Sequence, residues 1–212
     1  KNIEIDGKFN SKFNLNKDSI NKIFPKLDLS FLKKNRINVK GDLLHKFILK
    51  IDENFKLIDY DYKSSGNISE SKIVLKNPFK ISLIKKPINE ILISKTNLQI
   101  NLNKKNNKSL TFDGLYNLGG LEKKKFKIIY NLNIKKPKYL IDFDLSENIF
   151  LELINFKTNI KDKSNIKTEL SFINNNIFFK YINFTEDKNS ISINNLKLNS
   201  KNEIRSISDI SV

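Results

Sequence analysis

Two pairs of aspartates are the residues whose types and spacing come nearest to a catalytic arrangement. Asp59 and Asp61, and likewise Asp142 and Asp144, are each separated by one residue. On a β-strand this spacing places both carboxylates on the same face, which would suit the paired acids of a glycosidase or the ligands of a calcium ion. Because aromatic and aliphatic residues alternate with both pairs, we favour a simpler interpretation, in which the carboxylates lie on a solvated face.

The single histidine, His45, offers little further chemistry. Because the chain has one histidine and no cysteine, multi-histidine and thiolate metal sites are excluded and a catalytic triad is not indicated. The surrounding residues, Asp42 to Phe47, are typical of a strand or a turn. The pair Gly119-Gly120 lacks the context of a phosphate-binding loop. We therefore predict no catalytic residue, no metal site, no cofactor and no enzymatic activity.

The elements that must position these residues are strands, because polar and apolar residues alternate from Ile3 to Val212. The clearest examples run from Lys125 to Ile134 and from Tyr139 to Leu145. A period of two places apolar side chains on one face of a strand and polar ones on the other. The chain also lacks alanine, the best helix former. We predict an all-β fold, in which residues 1–212 form one long, curved, mostly antiparallel sheet.

Residues 17–24 favour a helix. Asn16 or Asp18 could cap its N-terminus, and Pro25 would help to end it. Residues 146–156 fit a helix or a strand equally well, and we favour a strand there. The missing methionine at residue 1 leads us to expect a fragment of a larger protein. No apolar run is long enough to predict a transmembrane helix.

Several polar segments are predicted to punctuate the strands. We expect a turn at Ser64-Ser65-Gly66-Asn67 and a hairpin loop at 103–108. Asn174-Asn175-Asn176 is predicted to join two strands, so that the Ile166, Leu170, Phe172 face pairs with Ile177, Phe179 and Tyr181. A bulge is expected between residues 191 and 198, because the apolar positions change phase there.

The formal net charge of +16 suggests a nucleic acid or an anionic membrane as partner. Its distribution argues against nucleic acid, because lysines are spread along every predicted strand and only Arg36 and Arg205 are arginines. Arginine is the preferred side chain for bidentate phosphate and guanine contacts. We interpret the lysines as solubilising residues that also protect sheet edges from pairing.

An alternating sheet must bury its apolar face. It can pack in a two-sheet sandwich, close as a barrel, or curve into an open groove that holds a ligand with acyl chains. Periodicity alone does not separate these solutions, because each uses the same side chains. The residues predicted to line a groove share one parity: Phe126, Ile128, Tyr130, Leu132, Ile134, Tyr139, Ile141, Phe143 and Leu145.

Three segments carry a family resemblance. The first runs from Lys17 to Leu29, a short helix that ends in proline before a strand. The second is Ile37-Asn38-Val39-Lys40-Gly41-Asp42-Leu43. The third is Phe126 to Leu145, with Tyr-Leu-Ile-Asp-Phe-Asp-Leu at its centre, together with the closing Ile204 to Ile210. With these segments the chain resembles the AsmA-like family of Gram-negative bacteria, the group that includes YhdP and TamB.

The resemblance implies a periplasmic protein anchored to the inner membrane by an N-terminal segment upstream of Lys1. It further implies a β-groove that carries phospholipid acyl chains between the inner and outer membranes without catalysis. The main alternative is a structural or adhesive β-sandwich of a cell-surface or phage protein. A glycosidase that uses Asp142 and Asp144 is a more distant alternative.

Overall fold

The computed structural model describes residues 2–23, 36–79, 87–105, 108–119, 122–131, 137–145, 150–151, 156–157, 163–173, 176–201 and 203–212. Within these ranges the chain forms one helix, α1 (Lys17–Ile23), and fourteen strands. The strands are β1 (Ile3–Asn16), β2 (Arg36–Ile51), β3 (Leu57–Phe79), β4 (Ile88–Asn103), β5 (Ser109–Leu118), β6 (Lys124–Asn131), β7 (Lys138–Asp144), β8 (Phe150–Leu151), β9 (Phe156–Lys157), β10 (Ser164–Ile173), β11 (Asn176–Glu186), β12 (Asn189–Leu198), β13 (Ile204–Ser206) and β14 (Asp209–Ser211). The all-β prediction is confirmed.

Twelve of these strands form one antiparallel sheet with a simple up-and-down order. Strands β1 to β6 each pair with the next strand in the chain, and β7 then pairs with β10. Strands β8 and β9 form a separate two-stranded sheet, while β13 and β14 both pair with β12. The large sheet is not closed into a barrel, so β1 lies at one edge and the two short strands lie at the other.

The register divides this sheet into two chemically different faces, because antiparallel partners project their side chains to the same side. Ile128 lies opposite Ile141 on one side, which we call the apolar face. Lys127 lies opposite Asp142 on the other side, which we call the outer face. Asp142 also forms a 3.3 Å ion pair with Lys167 of β10. Such exposed pairs contribute little stability, but they favour the register that places polar residues opposite polar residues and apolar residues opposite apolar ones.

The predicted turn at Ser64-Ser65-Gly66-Asn67 is wrong, because these residues lie inside β3. Gly66 has a different role from that of a turn residue. A Cβ atom added to it would lie 2.0 Å from the carbonyl oxygen of Asp42 and 2.8 Å from the Cα atom of Leu43. Glycine therefore allows the backbones of β2 and β3 to approach closely at this point.

Bulges shift the phase of alternation at several places in the sheet, and two of them carry a residue with a positive φ angle. Lys95 in β4 and Asn195 in β12 have positive φ angles of 48° and 52°. Asn195 separates Ile193 from Leu196 and returns Leu196 to the apolar face, as predicted for residues 191–198. The register of β11 also shifts at Lys180, which turns Tyr181 to the outer face opposite Glu169. The predicted placement of Tyr181 beside Ile177 and Phe179 is therefore wrong.

The helix begins where the sequence predicts. The Oδ1 atom of Asn16 accepts hydrogen bonds from the backbone N–H and the Oγ–H of Ser19, each at 3.0 Å, so Asn16 is the N-cap. Phe24, the last residue of the predicted helix, and Pro25, which was predicted to help end it, lie outside the described residues. Within the described part of the chain, no helix has the length and apolar character needed to span a membrane.

No second layer of strands packs on the apolar face within the described ranges. The substantial contacts of each strand are with its sheet neighbours, and α1 contacts β1 and β2. The two-sheet sandwich, which the same alternation could also have produced, is therefore not formed by these residues. Six apolar side chains of this face are nevertheless less than 9% exposed, which is consistent with a sheet that curves toward this face: Ile37, Ile68, Leu98, Phe184, Ile191 and Leu196.

Candidate functional site

The predicted groove-lining residues lie together at the centre of the apolar face. Strands β6 and β7 place them in directly opposed pairs, and Leu145 continues the same parity after β7. Leu132 and Ile134 lie outside the described residues. All seven described members are intermediate in burial, and their shared face is as predicted: Phe126 opposite Phe143, Ile128 opposite Ile141, Tyr130 opposite Tyr139, and Leu145.

The apolar face extends beyond these two strands in continuous cross-strand rows. One row, which we call the central row, passes through Ile128 and Ile141 and crosses the whole sheet. Its members are Ser11, Leu43, Gly66, Leu98, Phe112, Ile128, Ile141, Thr168, Ile182, Ile193 and Ile210. With an interstrand spacing of about 4.8 Å, its ten steps measure about 48 Å along the sheet. That path is longer than the roughly 30 Å hydrocarbon core of a bilayer.

A neighbouring cross-strand row, which we call the tyrosine row, passes through Tyr130 and Tyr139 and carries the closest aromatic contacts. The rings of Tyr130 and Tyr139 stack with centroids 4.4 Å apart, and Phe172 meets Tyr139 edge-on at 5.6 Å. The pKa of Tyr139 is raised to about 12 by burial, by the nearby Tyr130 hydroxyl and by a hydrogen bond with it. All three causes act against ionisation, so Tyr139 presents a neutral phenol to this face.

Tyr116 closes the other side of the same region. Its ring meets Phe126 and Phe143 edge-on, at centroid distances of 6.4 and 6.3 Å. Its hydroxyl donates a 2.5 Å hydrogen bond to the backbone carbonyl of Asp144. The hydroxyl of this half-buried ring thus has a partner, and the ring itself is left to contribute apolar surface.

The aspartate pairs lie on the outer face, as the alternation predicts. The Nδ2 group of Asn165 donates to Asp142 Oδ1 at 2.7 Å and to Asp144 Oδ1 at 3.0 Å. Both carboxylates border a shallow depression of about 360 Å³, which three lysines also line. Asp61 forms a 3.2 Å ion pair with Lys63. Among the described residues, no group of three or more His, Cys, Asp or Glu side chains could hold a metal ion.

The sequence interpretation missed one polar cluster on the apolar face. His45, taken as an ordinary strand residue, lies within hydrogen-bond distance of Ser11 and Tyr62. Its position between Leu43 and Phe47 on the apolar parity was a signal that it does not face solvent. Finding its partners also required the register of three strands, which alternation does not supply.

Comparisons with protein-family models, with curated proteins and with solved structures found no match. The resemblance to the AsmA-like family therefore stays a prediction.

Proposed function

We propose that this chain is a non-enzymatic lipid-transfer segment that carries phospholipid acyl chains along its apolar face. One observation carries the proposal. An apolar face continues in register from β1 to β14, and no second layer of described strands covers it. Exposed apolar patches of this extent are characteristic of interaction sites for apolar partners.

The energetics of acyl chains support this occupant. Removing a methylene from water is worth about 0.8 kcal/mol, so a lipid that leaves a bilayer needs continuous apolar cover. The half-exposed side chains of the central row, including Phe112, Ile128 and Ile141, offer such cover. Binding would in turn shield side chains that the ligand-free protein leaves partly hydrated.

The open edge of such a groove also suits the polar part of a phospholipid. A headgroup could stay in water while the acyl chains lie against the sheet, so no charged binding pocket is needed. Transport between inner and outer membranes, in the periplasm and by way of anchoring segments outside this sequence, is the part of the proposal that depends on the family resemblance alone.

Lipid extraction of the purified chain, followed by mass spectrometry, tests the proposal. We expect phospholipids to co-purify with the wild type in near-stoichiometric amounts and to be lost on delipidation. The delipidated chain should then withdraw a fluorescent phospholipid from vesicles. A chain that carries no lipid and withdraws none would contradict the proposal and favour the structural or adhesive role.

A further inference from the structure

A hydrogen-bonded chain of three side chains interrupts the apolar face near its β1 edge. The Nε2 atom of His45 lies 2.7 Å from Ser11 Oγ, and its Nδ1 atom lies 2.7 Å from the Tyr62 hydroxyl. Phe9 stacks on the imidazole with centroids 4.3 Å apart. His45 is consequently only 8% exposed, although no second layer of described strands covers this face.

A second, independent feature lies beside these three hydrogen-bonded side chains. Ser64 is the register partner of His45 on the apolar face and is 2% exposed. Its Oγ is the one buried side-chain polar atom without a hydrogen-bond partner among the described residues. A buried hydroxyl without a partner costs free energy, so a bound group that supplied one would be favoured.

Counting protons shows which kind of group fits. A neutral imidazole has one N–H and one acceptor nitrogen, so either tautomer uses the proton of only one of the two flanking hydroxyls. The other hydroxyl, on Ser11 or Tyr62, keeps a free O–H. Together with Ser64, the cluster therefore presents two unused O–H donors. If the ring is protonated, both of its nitrogens donate and all three hydroxyl protons are free.

The surroundings contain no competing charge. At the apolar-face positions of β1 to β4 that flank the cluster, the chain holds aliphatic, aromatic, glycine, serine, threonine and histidine residues. Nearby ionisable side chains, such as Lys46, Lys63 and Asp61, lie on the outer face. A ligand at the cluster would thus meet hydroxyl donors and one imidazole in an apolar setting, where hydrogen bonds to an anion are strong.

We propose that Ser11, His45, Tyr62 and Ser64 anchor the oxyanion of an acyl-chain ligand, a carboxylate or a phosphate. This inference rests on the proposed lipid-binding function and names the polar group that the face selects. The ring of Phe9, 49% exposed on the edge strand, covers the imidazole and has to rotate aside when the ligand enters.

The register also assigns the path of the acyl chain. From His45 the tyrosine row continues through Ser64, Ile100 and Leu110 to Tyr130. The step from His45 to Leu110 is three strand spacings, or about 14 Å. That is close to half the roughly 30 Å hydrocarbon thickness of a bilayer, so one acyl chain anchored at His45 reaches about as far as Leu110.

Calorimetric titration of the delipidated chain separates the anchor from general lipid binding. The probes are palmitate and palmitoyl lysophosphatidic acid, with neutral monopalmitoylglycerol as the matched lipid and inorganic phosphate as the anion without a chain. We expect both oxyanion lipids to bind about tenfold more tightly than the neutral lipid, the worth of one hydrogen bond to a charged group. Inorganic phosphate should bind far more weakly than either.

Ser64→Ala should abolish most of this preference, because it removes one of the anchoring hydroxyls, and should raise the unfolding midpoint of the ligand-free chain. Ser65→Ala, on the neighbouring outer-face position, is the matched control and should change neither quantity. Tyr62→Phe should also reduce the preference, and it provides the test if Ser64→Ala does not fold.

The outcomes distinguish the two proposals. Equal binding of neutral and oxyanion lipids, or a preference that survives both substitutions, would overturn the anchor and leave the proposed function intact. Failure of every lipid to bind would overturn both. Phosphate that binds as tightly as the lipids would overturn the acyl-chain ligand, because the site would then need no chain.

Discussion

Two regions of the same cross-strand row solve the problem of polar atoms on an apolar face in different ways. In β6 and β7, Tyr130 and Tyr139 stack on each other and share a hydrogen bond. In β1 to β3, His45 is bonded at both nitrogens, yet the adjacent Ser64 is buried without a partner. Among the described residues, the first region has no buried side-chain polar atom without a partner, whereas the second has one, Ser64 Oγ.

The difference distinguishes a region whose side chains only pack from a region whose side chains can also bind a ligand. The stacked tyrosines need nothing further, so their role is adequately described as apolar surface with a rigid shape. A buried hydroxyl without a partner costs about 1–3 kcal/mol, and alanine would avoid that cost at Ser64. The cost is explained if a ligand supplies the missing partner. We therefore place ligand selectivity around His45 on β1 to β3, the histidine region, and general acyl-chain cover around Tyr130 and Tyr139 on β6 and β7, the tyrosine region.

A glycine at a close approach lies in the histidine region and another lies on β5, beside the tyrosine region, and these positions give the largest expected effects. Gly66→Ala should destabilise the chain by about 1–3 kcal/mol, because the added methyl group meets the backbone of β2 at Asp42 and Leu43. On β5, Gly114→Ala meets Thr96, which is fully buried, and should cost a similar amount. Urea unfolding measures both. Unchanged midpoints would show that the two strand pairs are not as close as described.

Ile128→Asp tests the apolar cover of the tyrosine region. We expect loss of bound lipid with the β-structure retained, because the side chain is half-exposed and its replacement costs only about 1 kcal/mol in lost apolar burial. Ile129→Asp carries the same change one residue away on the outer face, opposite Leu140, and should keep its lipid. Circular dichroism and lipid extraction follow the two variants. Unfolding of Ile128→Asp alone would point to a packed core instead of a groove.

Ser64→Ala tests the burial cost of the unpartnered hydroxyl in the region of His45. Removing the hydroxyl relieves its burial cost, so the ligand-free variant should be more stable than the wild type by about 1 kcal/mol. Thermal unfolding of delipidated protein provides the measurement. A less stable variant would mean that Ser64 already has a partner, and the contrast between the two regions would disappear.

The smallest effect concerns the titration of Tyr139. Its pKa, raised to about 12 in the folded chain, exceeds the ordinary value near 10, so the folded state holds this proton longer than the unfolded state. The resulting stability is fully present below pH 10 and is lost as the pH rises toward 12. Tyr130→Phe should lower the pKa of Tyr139 only in part, because burial is its largest cause. Ultraviolet titration should show a late-ionising component that Tyr139→Phe removes. A single transition near pH 10 for every tyrosine would contradict this.

Alternation predicted much of the fold and the face of the candidate site, since period two is a local property of each strand. It correctly placed Phe126, Ile128, Tyr139 and Phe143 on one side. It could not predict strand register, and the His45 cluster depends on register across three strands.

Predictions from local sequence were wrong at positions where a contact with another strand determines the backbone conformation. Gly66 looked like a turn residue, but the neighbouring strand β2 requires a glycine there. Tyr181 was assigned to the apolar face, because nothing in its local sequence marks the shift at Lys180. In both cases the determining atoms belong to another strand.

Photo-crosslinking at Ile128 tests the central claim most directly. A photoreactive residue at this apolar-face position should form a phospholipid adduct that mass spectrometry identifies, while the same probe at Lys127, exposed on the outer face, should form none. Crosslinks from position 128 only to protein, or equal lipid adducts from both positions, would contradict an acyl-chain groove.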